Sequence, residues 1–232
     1  MCRVWSWYPV ILEPLYLYCE RTGPGLLGEP VNFLASFAFV LVARSIWRMA
    51  EASGLLRLMA GLTFLLCPGG LYLHSLPSAA ALAANLVPIL ALILVYFYGL
   101  NRHVVGLAPA MAVVCALLIL PFAAVSLPLI GLIRGAASSA AYLALPILLL
   151  GYSAALRPEM PATARGLLVA ALIMLSAIIL RSIDLPLCGV WPWGTHFLWI
   201  MGAALLLWQL AHVYRQHGAV GQGGLAGPGG GR

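Results

Sequence analysis

Lysine is missing altogether: all twelve basic residues of the chain are arginine, set against six acidic ones. Charged residues amount to 8% and apolar ones to 63% of the 232 positions, whereas about a quarter of an ordinary soluble domain is charged. That shortage excludes a water-soluble globular domain. Basic patches interleaved with exposed aromatics are also absent, which excludes a nucleic-acid interface, so the net charge of +6 reads as a topology signal. The five cysteines include no CxxC pair, which sets aside a cysteine-based zinc ribbon. No secretory signal peptide is expected. Arg3 precedes an apolar stretch, but Pro9, Glu13 and Pro14 interrupt it and no small-residue cleavage site follows.

What is present is a succession of apolar runs near the ~20 residues that cross a bilayer core. Lipid offers no partner to backbone polar groups, so these runs must be helices. Seven spans are predicted, at 29–49, 55–73, 78–98, 107–127, 136–156, 164–183 and 194–214. Turn and helix-stop residues separate them: Glu51-Ala52-Ser53-Gly54, Leu76-Pro77, Asn101-Arg102-His103 and Arg157-Pro158-Glu159-Met160-Pro161. Another break falls between Pro128 and Gly135, with Arg134 as its charge, while Pro88, Pro121 and Pro146 lie inside spans. The expected fold is an all-α, integral membrane seven-transmembrane-helix bundle over residues 29–215. An interfacial segment (1–28) precedes it and a disordered Gly-rich tail (216–232) follows.

Arginine placement orients the bundle. One side receives Arg44, Arg48, Arg57, Arg102, Arg157, Arg165, Arg215 and Arg232, and the other Arg3, Arg21, Arg134 and Arg181. The first side is expected to be cytoplasmic, which puts the N-terminus outside and the C-terminus inside. On that map Glu20, Glu29, Asn32, Ser36, His74, Asn85, Arg181, Asp184 and His196 meet one membrane face at similar depth. Polar groups inside spans are costly and face the bundle interior, so this convergence marks a candidate site. His103, His212 and His217 fall on the opposite side as solvated loop or tail residues.

Six short stretches carry a family resemblance. They are Tyr18-Cys19-Glu20-Arg21; Glu29-Pro30 with Asn32; Gly69-Gly70 followed by His74; Ala84-Asn85-Leu86-Val87-Pro88-Ile89; Arg181-Ser182-Ile183-Asp184 with Cys188; and Gly194-Thr195-His196-Phe197-Leu198-Trp199. In order and spacing they resemble the alkaline ceramidase family, seven-helix membrane amidohydrolases, and especially its bacterial branch. The resemblance implies a zinc ion held by three histidines, one ending the second helix and two at i and i+4 on the last, with water in the fourth position. It implies hydrolysis of a lipid amide such as ceramide, with a serine and an aspartate assisting, in a bacterial inner membrane. His74 and His196 match two of the zinc ligands. Ile200 stands at the third, Gly70 replaces the serine and Asn85 replaces the aspartate. Glu20 and Glu29 match positions of a calcium site, although the acidic residue expected before Tyr18-Cys19-Glu20 is absent.

Each of these residues also has a plainer reading. His74 and His196 suit an interhelical hydrogen-bonding pair, with retained metal binding as the alternative. Arg181 and Asp184, at i and i+3, suit a helix-end ion pair. Glu29 and Asn32 suit capping of the first helix, with cation binding as the alternative. Trp191, Trp193 and Trp199, with Trp5 and Trp7, suit an aromatic belt. The resemblance further suggests that Cys19 and Cys188 lie close together, as a disulfide on an oxidising face; Cys67 and Cys115 suit packing within spans. Two functions follow: a ceramidase-type hydrolase working through a rearranged metal site, or a non-catalytic lipid-binding or structural relative.

Overall fold

The computed structural model describes residues 18–23, 25–26, 28–131 and 139–223. Among them the chain is helical, with no strand. The helices are α1 (Pro30–Ala35), α2 (Ala38–Met49), α3 (Gly54–Ser75), α4 (Ala79–Gly99), α5 (Pro109–Leu117), α6 (Ile119–Gly131), α7 (Ala140–Leu156), α8 (Pro161–Ser182), α9 (Asp184–Leu187) and α10 (His196–Gly223). Among the described residues, six segments are long and apolar enough to cross a membrane, where seven were expected: Pro30–Met49, Gly54–Ser75, Ala79–Val104, Pro109–Ser126, Pro161–Ser182 and His196–His217. The helix in the fifth expected span, α7, has 17 residues and is apolar but shorter than these six.

Local chemistry explains the boundaries. Ser53 and Ser78 accept the backbone N–H groups of Leu56 and Ala81, capping α3 and α4. Proline opens α1, α5 and α8, where a missing N–H costs nothing. The first expected span is broken near Ser36, whose hydroxyl donates to the Asn32 carbonyl at 3.1 Å, a bond that bends helices. Another break, between α5 and α6, falls just before Pro121, which lacks the N–H needed to continue the ladder.

Two boundaries differ from the sequence expectation. The helix of α4 continues through a π turn, Leu100–Val104, across the expected break at Asn101. Asn101 is buried, donates to the Phe97 carbonyl at 2.8 Å and accepts from the Tyr152 hydroxyl at 2.9 Å, so it joins helices rather than starting a loop. At the other limit, α10 runs to Gly223, well into the expected disordered tail. Glycine lowers helix propensity by only ~1 kcal/mol and does not halt an established helix. Residues 224–232 lie outside the described set, as do 1–17.

Neighbour packing arranges the helices as a ring. α2 packs on α3, α3 on α4, α4 on α5, α6 on α7, α7 on α8, α8 on α10, and α10 returns to α2. One end of the ring gathers Glu51, Asn101, Tyr152 and Arg215. The opposite end gathers Arg21, His74, Ser139 and Ser182, with Ser139 and Ser182 joined hydroxyl to hydroxyl at 2.9 Å. Large apolar side chains such as Leu41, Val87, Val125 and Ile179 point outward and are exposed, as expected of a surface whose solvent is lipid.

Small residues set the closest approaches, as in membrane helix packing. A Cβ built on Gly69 would lie 2.7 Å from the Ala84 carbonyl oxygen, whereas one on Gly61, in the same helix, meets nothing within 4 Å. Gly69→Ala is therefore expected to push α3 from α4, at a cost of ~1–3 kcal/mol, and to lower the thermal midpoint of the detergent-solubilised protein. Gly61→Ala should leave it unchanged or raise it; equal behaviour of the two variants would contradict this packing.

Candidate functional site: two imidazoles at the polar end of an apolar cavity

His74 ends α3 and His196 opens α10, and both are buried. Their ring centroids are 5.6 Å apart, so helices distant in sequence do bring the two imidazoles together. Each is positioned by a buried carboxylate.

Asp184 fixes His196. Its Oδ1 accepts the N–H groups of Thr195 at 2.6 Å and His196 at 2.8 Å, and its Oδ2 accepts the N–H of Cys19 at 2.9 Å. The carboxylate thus caps α10 from a neighbouring element, where a negative charge is favoured by the helix dipole. Gly194 has φ +64°, and a Cβ there would collide with the Asp184 carboxylate. The Cys19–Cys188 disulfide, with a Cα–Cα distance of 5.3 Å, ties the N-terminal segment to the same corner.

Glu29 fixes His74. It is fully buried; its Oε1 accepts from Arg21 Nε, and its Oε2 bonds His74 Nδ1 at 2.5 Å and accepts from Asn32 Nδ2 at 3.1 Å. Arg21 also donates to the His74 carbonyl at 3.1 Å. With Nδ1 held by the carboxylate, Nε2 is the ring nitrogen left for another partner. Glu20 makes the cap that Glu29 was expected to make: it accepts the N–H groups of Val31 and, at 2.9 Å, Asn32. Burial raises the Glu20 carboxyl above its ordinary range, and those two donors pull it back.

Aromatic rings close the remaining sides. Tyr18 stacks on His196 with centroids 3.8 Å apart. Burial pushes its phenol up to about 12, against the pull of the Arg181 charge, so Tyr18 is a neutral hydroxyl at physiological pH. The Arg181 guanidinium lies 5.7, 5.3 and 5.8 Å from the ring centres of Tyr18, Tyr142 and Trp199. The ion pair expected between Arg181 and Asp184 does not form, because the Asp184 oxygens take backbone N–H groups instead. Trp199 likewise leaves the expected belt and packs on Tyr142 at 4.6 Å, while Trp191 and Trp193 are exposed; Trp5 and Trp7 lie outside the described residues.

These groups stand at one end of a cavity of about 330 Å³, within the ~300–1,000 Å³ usual for small-molecule sites. Its walls are mostly apolar, with Phe39, Met59, Leu92, Leu145, Met174 and Leu206 among them. Asn85, Gly70 and Ile200 also line it, so all three substituted positions reach the site. At Gly70 a Cβ would meet the Ser36 hydroxyl at 2.7 Å; a serine side chain from the junction of α1 and α2 sits beside the position where the resemblance expects one from α3. Sequence reasoning missed Tyr142 as a site residue, and nothing in its local pattern distinguishes it from a packing tyrosine.

The residues present do not complete a zinc site. Ile200 offers no donor, the Glu29 carboxylate is already held, and among the described residues no group of three His, Cys, Asp or Glu side chains is placed to share an ion. A calcium site fares no better, since both glutamates have protein partners. Comparison with protein-family models, with curated proteins and with solved structures found no match.

Glu29→Gln keeps the shape but breaks the buried ion pair with Arg21, and a loss of ~3–5 kcal/mol is expected. Glu51→Gln removes an exposed pair with Arg215 and should cost at most ~1 kcal/mol. Thermal denaturation in detergent compares them; similar losses would contradict the central place given to Glu29. A non-reduced digest should contain a Cys19–Cys188 cross-linked peptide, with Cys67 and Cys115 as free thiols.

Proposed function

We propose that this chain is a seven-span membrane protein of the alkaline-ceramidase type that takes a lipid amide into its cavity. The polar head rests against His74 and His196, and the acyl chain runs between α3, α4, α7 and α10. One observation carries the reading. The cavity is apolar over most of its length, and His74, His196, Arg181 and Asn85 gather at one end of it. That is the polarity of a single-chain amphiphile. At 1.5 Å per residue, Asn85 to Tyr96 on α4 gives the cavity a length of about 16 Å.

In this reading α7 is the seventh crossing, its 17 residues at the short end of what spans a bilayer. Arg48, Arg57, Arg102, Arg157 and Arg215 then mark the cytoplasmic end, and the imidazoles open towards the other face of a bacterial inner membrane.

Hydrolysis of the amide is the second reading, favoured by the Glu29–His74 pair. An imidazole whose Nδ1 is held by a carboxylate presents Nε2 as a general base, and a water on that nitrogen would be the nucleophile. Arg181 and His196 stand beside it as donors for a developing oxyanion.

Detergent-solubilised protein incubated with ceramide should retain it, and Ala203→Phe, which fills the cavity from α10, should abolish retention while helicity is kept. Failure of the wild type to retain any lipid amide, or equal retention by the folded variant, would sink the binding reading. Release of fatty acid that disappears in His74→Ala supports hydrolysis; absence of release leaves a binding protein. The resemblance has its own test. Asn85→Asp with Ile200→His places a third imidazole one turn beyond His196 and should bring about one zinc per chain by elemental analysis. A folded variant that gains no zinc contradicts the family alignment of these helices.

A further inference from the structure

Among the described residues, Arg181 is the only arginine on the cavity wall, and no described acidic side chain pairs with it. Among the described residues, the ion pairs are Arg21–Glu29, His74–Glu29 and Arg215–Glu51. The nearby acids are committed elsewhere: Asp184 to the backbone of Cys19, Thr195 and His196, and Glu29 to Arg21, Asn32 and His74. The Nε of Arg181 is buried with no hydrogen-bond partner. A guanidinium has five donors in a fixed fork; the Tyr18 hydroxyl hydrogen-bonds it, and three aromatic faces stabilise its charge without engaging Nε. Its place in the last turn of α8 helps through the helix dipole, yet satisfies none of those donors. Arg181 is half-buried, and an oxyanion in the cavity would take the Nε donor that no described residue accepts.

We propose that the cavity ligand carries an oxyanion, a carboxylate or a phosphate, bound by the Arg181 fork beside His196. The inference rests on the lipid-cavity reading and narrows it. An amphiphile of this cavity that also carries an anionic group binds in preference to the neutral lipid amide, which still enters. A free fatty acid, an N-acyl amino acid and a single-chain phosphate ester all meet that description. The aromatic sheath sets the register, because Tyr18, Tyr142 and Trp199 flank the guanidinium and leave its edge as the route of approach. Arg181 is a binding residue in this account.

The test is competition for labelled hexadecanoate on the full-length protein in a non-ionic detergent, with hexadecanoate, hexadecyl phosphate and hexadecanamide as competitors of equal chain length. One or both anions should compete at least about tenfold better than the neutral amide, the worth of one charge-assisted hydrogen bond or more. Stronger competition by the phosphate points to a phospholipid source, and by the carboxylate to a fatty acid or acylated amino acid. Arg181→Gln should erase the preference, bringing the two anions down to the level of hexadecanamide, and Arg181→Lys should restore part of it. The proposal is overturned if the amide competes as well as the anions in the wild type, or if Arg181→Gln keeps the preference. Should Arg181→Gln not fold, the wild-type ligand series and Arg181→Lys decide. Binding of all three ligands alike sinks only the anion proposal, whereas binding of none removes the cavity reading and this one with it.

Discussion

A single fully buried carboxylate, Glu29, holds the site end of this bundle together. It draws Arg21 of the N-terminal segment, Asn32 of α1 and His74 of α3 onto two oxygen atoms. A charge buried this deeply is tolerable only when paired and fully hydrogen-bonded, and the three partners come from three parts of the chain. Removing any one leaves the others exposed to the same penalty. Asp184 repeats the device across the cavity, where Cys19 and the first residues of α10 donate to it. The two carboxylates therefore locate the two imidazoles, and the disulfide between Cys19 and Cys188 closes the loop between them.

Much of the fold is legible in the sequence because lipid imposes so few options. Apolar runs of bilayer length must be helices, and Ser53, Ser78, Pro109 and Pro161 mark where several of them start. The convergence of Glu29, His74, Asp184 and His196 on one end was readable from span parity alone. Other features depended on partners that spacing cannot show. Asn101 reads as a loop residue until Tyr152 is placed beside it. Asp184 reads as the partner of Arg181, three residues away, until the N-terminus of α10 competes for it. Glu20 reads as a metal ligand until the free N–H groups of α1 are brought against it. In each case a long-range acceptor or donor outcompeted the nearest one in sequence.

The site itself was legible in position and not in chemistry. Gly70, Asn85 and Ile200 all reach the cavity, yet they supply no nucleophile, no carboxylate and no third imidazole. What fills the functional space instead came from elsewhere: the Ser36 hydroxyl beside Gly70, the Tyr18 ring on His196, and the Tyr142–Trp199 pair around Arg181. Aromatic sheathing of a guanidinium leaves no signature in sequence, because a tyrosine in an apolar run looks like any other packing residue.

The account depends on a lipid lying along the interior of the ring with its head at the imidazoles. Photo-cross-linking tests that placement most directly, using one lipid amide labelled at its headgroup and another labelled at the chain end. The account predicts headgroup adducts on peptides containing Tyr18, His74 or His196 and chain-end adducts on the deep cavity residues Leu92, Tyr96 or Leu206. Adducts confined to the outward-facing residues Leu41, Val87 or Ile179, or the same peptides labelled by both probes, would contradict it.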